Sequence, residues 1–346
     1  MAMKAAVFEG LGKPLAIREV AEPELAPGEV LLKVENCGIC GSDLHATEDG
    51  VFLQAEGTVL GHEFAGIVAA SADPAVPEGL RATAVPVNAC EACRDLGTCR
   101  DGLGILCPSN RITGLALDVP GAYAEYVKVG AKQVVPLPDG VSFEQGAMVE
   151  PLAVGLHAVE KAQIPMGGRV LVIGAGPIGL SVAAFARLAG AGRIVVSERA
   201  EARRAAASDF GATDVLDPGA VEDVGAAFSA ATGGPPDVIF DCVGVPGMIQ
   251  SCIDLSRPKG TIVVVGVCMK PDEVIPIAAI LKELKLQFVL GYVESDFARV
   301  LDYLGQGRIK ADGMVTDRVS LSELPEAFEA LRRPDRQIKV MIRPGG

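Results

Sequence analysis

The chain has 346 residues, 49% hydrophobic and 22% charged, with a formal net charge of −13. That length exceeds one comfortable core and predicts two domains. The acidic balance repels phosphate backbones, which excludes nucleic acid as an expected partner, and no apolar run approaches the roughly eighteen residues of a membrane helix.

The opening MAMKAAVFEG has no basic segment followed by an apolar stretch, so a soluble, cytoplasmic protein acting on a small molecule is expected. Through residue 152, short alternating runs (KAAVFEG, EVLLKVEN, HEFAGIVAA, ATAVPV, AYAEYVKV) are separated by Gly- and Pro-rich turns. They predict a mostly β domain. Over 153–291 the texture changes. RVLVIG, RIVVSE, DVIFDCVG and GTIVVVGV are continuous apolar strands, several followed by helix-like stretches such as PIGLSVAAFARLAG. Strands buried on both faces and alternating with helices predict a doubly wound parallel sheet. Residues 292–346 hold two further helices, ESDFARVLDYLGQG and LSELPEAFEALRR, and a last strand, QIKVMIRP. They are read as a return to the first domain after an inserted one.

The stretch VLVIGAGPIGL sets Gly174, Gly176 and Gly179 as G-x-G-x-x-G between a strand and a helix. The first glycine permits a tight turn, the second a close approach to a pyrophosphate, and the third close helix–strand packing. Glu198 closes the next strand at the offset of a ribose-binding acid. A carboxylate there favours NAD over NADP. Arg199 and Arg203 pull the other way, since a nearby arginine serves a 2′-phosphate. The same reading takes in Pro177 and Ile178 inside the motif. It adds Val243, Gly266 and Val267 at the ends of the later strands.

Nine cysteines and three histidines are unevenly placed. Cys37, Cys40, Cys90, Cys93, Cys99 and Cys107 cluster in the first domain, which in a reducing compartment points to metal before disulfide. Cys242, Cys252 and Cys268 read as buried bystanders. A catalytic zinc wants three protein ligands and one open position. Cys40, His62 and Glu150 supply such a set, with Glu63 as an alternate carboxylate. The Cys37-x-x-Cys40 spacing also allows a redox pair, though it follows a strand in a β domain and does not open a β–α–β unit. Cys90, Cys93, Cys99 and Cys107 look like a closed structural zinc site.

Together these motifs resemble the zinc-dependent medium-chain alcohol/polyol dehydrogenases, in the sorbitol/threonine dehydrogenase-like branch. The resemblance runs from PGEVLLKVENCGICGSDLH through LGHEFAGIV, EPLAVGLHA and VLVIGAGPIGL to the closing IKVMIRP. It implies a GroES-like catalytic domain with an inserted Rossmann domain. Catalytic zinc falls on Cys40, His62 and Glu150. Asp43 orients the zinc-bound histidine, and Ser42 and His45 form a proton relay. Lys339 matches a basic residue near the cofactor phosphates. The gap of five residues between Cys93 and Cys99, where the family usually has two, departs from the pattern. About two Zn²⁺ per chain, NAD, and a homodimer or homotetramer are implied. So is hydride transfer between NAD and a secondary alcohol, diol or polyol, or the matching ketone or aldehyde. The competing readings are an NAD(H)-binding zinc protein without turnover and a zinc-free quinone reductase relative.

Overall fold

The structure is a computed structural model that describes residues 1–48, 50, 52–88 and 103–345. The chain divides into two compact units, Met1–Glu150 with Val293–Gly346, and Pro151–Tyr292.

In the first unit the strands are β1 (Ala2–Val7), β2 (Ala16–Ala21), β3 (Glu29–Gly38), β4 (Glu63–Ser71), β5 (Arg81–Ala84), β6 (Val87–Asn88), β7 (Arg111–Ile112), β8 (Tyr126–Gly130) and β9 (Val134–Pro136). A short helix α1 (Gly41–His45) follows β3, and α2 (Phe143–Ala147) leads into α3 (Val149–Ala162), which begins in this unit and continues as the first helix of the second. The main sheet, among the described residues, runs β16-β17-β3-β4-β5-β9, with β8 also on β3. Here β16 is Val315–Ser320 and β17 is Lys339–Arg343; α9 (Ser295–Gly305) precedes β16, and α10 (Leu324–Ala330) lies between the two strands. The ten residues of β3 organise this sheet. One edge pairs with β4 from Val30 to Gly38; the other takes β8 at Glu29–Lys33 and β17 at Cys37 and Gly38. Two register shifts in the β3–β4 ladder, at Leu31/Leu32 and Val34/Asn36, re-aim the end of β3. The apolar face of these strands, including Val30, Leu32, Val34, Phe64 and Val68, packs with Leu324 and Phe328 of α10 into one core.

The stretch AYAEYVKV divides differently from its sequence pattern. Only Tyr126 onward joins the ladder to β3. Residues 121–123 instead run along 59–61, with Gly121, Ala122 and Tyr123 N–H groups donating to the carbonyls of Val59, Gly61 and Leu60. Glycines make that approach possible: a Cβ at Gly121 would sit 2.3 Å from the Leu60 carbonyl oxygen.

The second unit is a six-stranded parallel sheet in the order β12-β11-β10-β13-β14-β15. Its strands are β10 (Arg169–Ile173), β11 (Arg193–Ser197), β12 (Asp214–Leu216), β13 (Val238–Asp241), β14 (Thr261–Val264) and β15 (Lys285–Phe288). The helices are α4 (Pro177–Leu188), α5 (Glu201–Ala206), α6 (Val224–Thr232), α7 (Met248–Leu255) and α8 (Pro276–Ile280). Strand order reverses at β10, where successive crossovers turn first one way and then the other; ligands bind beyond the carboxyl ends of strands at such a point. The four-residue β15 is exposed along its length, as befits an edge strand. Strands β12 and β16 and helices α6–α8 are short elements whose sequences carry no strong periodic pattern. Cys252 is buried, but Cys242 and Cys268 lie half-buried outside any strand or helix, a correction to their reading as buried bystanders. Among the described residues no helix is long and apolar enough to cross a membrane.

Candidate active site

The register of β3 and β4 builds the site. Gly38 stands opposite Glu63. The residues just beyond each strand end, Cys40 on one side and His62 on the other, therefore come together from positions 22 apart in sequence. Cys40 is also the N-cap of α1, which turns Ser42 and Asp43 back over the same point. The Ser42 hydroxyl donates to Cys40 Sγ at 3.1 Å and lies 3.2 Å from His62 Nε2. One hydroxyl thus touches a thiol sulfur and an imidazole nitrogen at once.

Behind the imidazole, Asp43 Oδ1 lies 3.2 Å from His62 Nδ1. Asp43 Oδ2 accepts the Cys40 backbone N–H at 3.1 Å and the Tyr123 hydroxyl at 2.6 Å. Asp43 and Tyr123 are fully buried. Burial opposes the charge on Asp43, yet His62 beside it and the donors on Oδ2 hold its carboxyl below the usual range. Burial likewise opposes charge on His62, and Asp43 outweighs it, raising the imidazole well above its ordinary value. A carboxylate on Nδ1 leaves Nε2 facing Cys40 and Ser42, the arrangement of a metal-binding histidine.

Lys339 crosses from β17 to this point. It is 3% exposed, and its ammonium donates to both Glu63 oxygens (2.7 and 2.6 Å) and to the Ile39 carbonyl (2.9 Å). Burial pulls its pKa down, but the charge of Glu63, with Cys40 and Glu150, carries it above the ordinary lysine value. Glu63 leans over β3 where Gly38 leaves room, for a Cβ there would meet its Oε2 at 2.1 Å. The structure therefore places Lys339 on Glu63, inside the catalytic unit, and holds Glu63 in that pair. Glu150 sits buried in the first turn of α3, within electrostatic reach of Lys339.

Thiolate, imidazole and carboxylate are the donor chemistry of a catalytic zinc. Cys40 and His62 already converge on Ser42, and the ion would be held there with Glu150. Among the described residues no three His, Cys, Asp or Glu side chains stand as a complete metal-holding group. Cys37 is fully buried and its thiol is pushed well up by burial, which keeps it protonated and inert beside Cys40. His45, on the same helix as Ser42, turns its Nδ1 to Glu48 at 3.5 Å. Of the second cysteine cluster, Cys90, Cys93 and Cys99 lie outside the described residues; Cys107 is buried.

In the second unit the three glycines meet three different demands. Gly174 has φ +99°, open to glycine but strained for other residues. Gly176, the N-cap of α4, has nothing within 4 Å of where a Cβ would stand, so no neighbouring atom crowds the turn at that point. Gly179 packs so closely on β10 that a Cβ would lie 1.9 Å from the Gly174 carbonyl oxygen. Pro177 and Ile178 form the first turn of α4. The two Glu198 oxygens accept the Ala175 N–H at 2.8 Å and the Ala200 N–H at 2.9 Å. Exposed Val243 stands beside Gly174, and Gly244 and Gly266 pack backbone to backbone ahead of exposed Val267. This cradle fits a dinucleotide at the carboxyl edge of the sheet. Arg199 is exposed. Arg203 is half-buried, and burial lowers its pKa against the opposing charge of Glu198.

Sequence reasoning missed two residues. Arg204 clamps the turn after β11 by donating to the carbonyls of Glu198 and Arg199, both at 2.7 Å. Tyr123 anchors Asp43; its one signal was that a buried tyrosine needs a hydroxyl partner.

Residues 26–139 match the alcohol dehydrogenase GroES-like domain, and residues 177–306 match the zinc-binding dehydrogenase family. The chain is 34% identical to the (R,R)-butanediol dehydrogenase of Bacillus subtilis (strain 168), over 99% of this chain and all of that protein. It is 32% identical to the sorbitol dehydrogenase of Gallus gallus, over 93% of this chain and 91% of the relative. A crystal structure of a zinc-binding dehydrogenase from Sinorhizobium meliloti 1021, bound to NADP, superposes with a TM-score of 0.91 at 33% identity over 99% and 100% of the two chains. With this fold and these motifs, the chain belongs to the zinc-dependent medium-chain alcohol/polyol dehydrogenases.

Proposed function

We propose that the protein oxidises a secondary alcohol, diol or polyol with NAD, and reduces the matching ketone or aldehyde in reverse. The observation that carries this reading is the convergence of Cys40 Sγ and His62 Nε2 on the Ser42 hydroxyl, with Asp43 fixed behind the imidazole. The relatives' printed names, butanediol and sorbitol dehydrogenase, support the substrate class.

When bound, zinc supplies a Lewis acid that lowers the pKa of a substrate hydroxyl, and the nicotinamide accepts the hydride. Cys40, His62 and Glu150 would hold the ion. Asp43 fixes the ring and tautomer of His62. Ser42, beside Cys40 Sγ and His62 Nε2, would accept the hydroxyl proton, and His45 would release it to solvent, with a ribose hydroxyl of the cofactor between them when it is bound. Lys339 neutralises part of the negative charge gathered by Cys40, Glu63 and Glu150. Glu63 serves as an alternate ligand only when that pair opens. The unit at 153–291 holds the dinucleotide, and the parts at 1–152 and 292–346 hold the metal.

Glu198 supports NAD over NADP. Its carboxylate, fixed by two backbone N–H groups, presents negative charge where a 2′-phosphate would stand. Cys107 with Cys90, Cys93 and Cys99 would hold a second, structural zinc. Exposed Leu286 and Phe288 on the edge strand β15, with Ile277, Ile280 and Leu281 nearby, support association of identical chains through this edge. The cysteines among the described residues are free thiols, in keeping with a reducing cytoplasm.

The test is NADH formation followed by absorbance with a panel of secondary alcohols, diols and polyols, alongside elemental analysis of protein never exposed to chelator. Turnover with about two zinc ions per chain is expected. A metal-free protein, or one that binds NADH and turns over none of these alcohols, would sink the proposal.

A further inference from the structure

We infer that Tyr123 is a positioning residue for the zinc ligand His62, acting through Asp43. The inference rests on the reading of His62 as a ligand and extends it to a residue that touches neither metal nor substrate.

A carboxylate rotates readily about its last bond, so a histidine held by an aspartate is only as well aimed as that aspartate. Asp43 has two oxygens and a divided set of partners. Both donors that reach it from outside the imidazole, the Tyr123 hydroxyl at 2.6 Å and the Cys40 N–H at 3.1 Å, fall on Oδ2. Oδ1 is left to His62 Nδ1 at 3.2 Å, and neither of these two atoms has another partner among the described residues. Tyr123 therefore selects which oxygen faces the histidine. Asp43 and Tyr123 are both fully buried, so the bond between them is sheltered from bulk water.

Tyr123 is itself held on several sides. Its backbone N–H donates to Leu60 and its carbonyl accepts from Ala6. Its ring stands edge-on to Phe328 of α10, centroids 6.4 Å apart. The residue before the ligand, Gly61, has φ +97°, and a Cβ there would lie 2.4 Å from the tyrosine ring. The glycine preceding His62 thus leaves the space that the ring fills. A phenylalanine would satisfy this packing equally well; the hydroxyl is the part that packing does not require.

The test is Tyr123→Phe, which keeps the ring, read by zinc affinity against a competing chelator and by the visible spectrum of the cobalt-substituted protein. Loss of a partner behind a metal-binding histidine commonly weakens binding by roughly 10–100-fold, and one of two donors on Oδ2 should account for about tenfold. The cobalt bands should shift, while the melting temperature of the metal-free protein falls only modestly, as loss of one buried hydrogen bond does. In an Asp43→Ala background, Tyr123→Phe should cause no further loss of affinity. Unchanged zinc affinity in Tyr123→Phe, beside a clear loss in Asp43→Ala, would overturn the role of Tyr123 and leave the ligand reading standing. Unchanged affinity in Asp43→Ala would overturn both. A metal-free Tyr123→Phe protein that melts markedly lower, or losses that add in the double variant, would mean that the hydroxyl acts on the fold by another route.

Discussion

The two sites are made in opposite ways. In the second unit, the candidate dinucleotide cradle centres on one strand, one turn and one helix, with the turns after β13 and β14 beside them, and it is marked by backbone N–H groups and missing side chains. Glu198 comes from the adjacent strand and is fixed by backbone alone. In the first unit, the candidate metal site draws Cys40 and Asp43 from one end of β3, His62 from the start of β4, Tyr123 from a loop, and Lys339 from β17. Its decisive groups are buried charges that hold one another. A site of backbone tolerates change in its side chains, whereas a site of mutually compensating charges fails when any member goes.

Substitutions can break or sharpen that contrast. The largest effect is expected for Cys40→Ala. Loss of a ligand removes several kcal/mol of transition-state stabilisation, so alcohol-dependent NADH formation should fall roughly a thousandfold or more. NADH binding, measured by fluorescence titration, should persist because the cradle is untouched. Lys339→Met comes next. Removing one partner of a buried ion pair should cost about 3 kcal/mol, seen as a lower urea midpoint, and Glu63→Gln in the same chain should restore much of it. If Lys339→Met unfolds like the parent, the charges of the first unit are not mutually dependent. Ser42→Ala should slow turnover roughly a hundredfold, as loss of a positioned proton-transfer group does, with zinc content unaltered in elemental analysis. Unchanged turnover would remove Ser42 from the relay. The smallest effect is expected for Glu198→Ala, roughly a tenfold rise in the KM for NAD and a gain in use of NADP. Continued refusal of NADP would show that Glu198 is not what excludes the 2′-phosphate.

The same contrast explains what the sequence made legible. Gly174, Gly176, Gly179 and Glu198 could be read because strand, turn and acid follow one another at fixed spacing, and each glycine answers a local steric demand. Cys40 and His62 could be read as metal-binding types, but their meeting depends on Gly38 standing opposite Glu63, a register no local pattern encodes. The pairing of Lys339 with Glu63 joins residues 276 apart, and that of Tyr123 with Asp43 joins residues 80 apart. Neither partner carries a mark of the other in its own neighbourhood. The β8 pattern misled for a related reason. Residues 122–124 alternate like a strand, yet they serve as a rail along 59–61 and β1.

The pairing of β17 with β3 has a consequence for how the molecule comes into being. The Ile39 carbonyl and the Lys339 ammonium are separated by 300 positions. At roughly 5–20 residues per second of synthesis, Ile39 leaves the ribosome about 15–60 seconds ahead of the cation that will sit against it. Throughout that interval Glu63 has no countercharge, and the nascent first unit lacks both a sheet strand and the α10 wall of its core. A chain released early therefore carries every proposed metal ligand and still lacks the means to seat them.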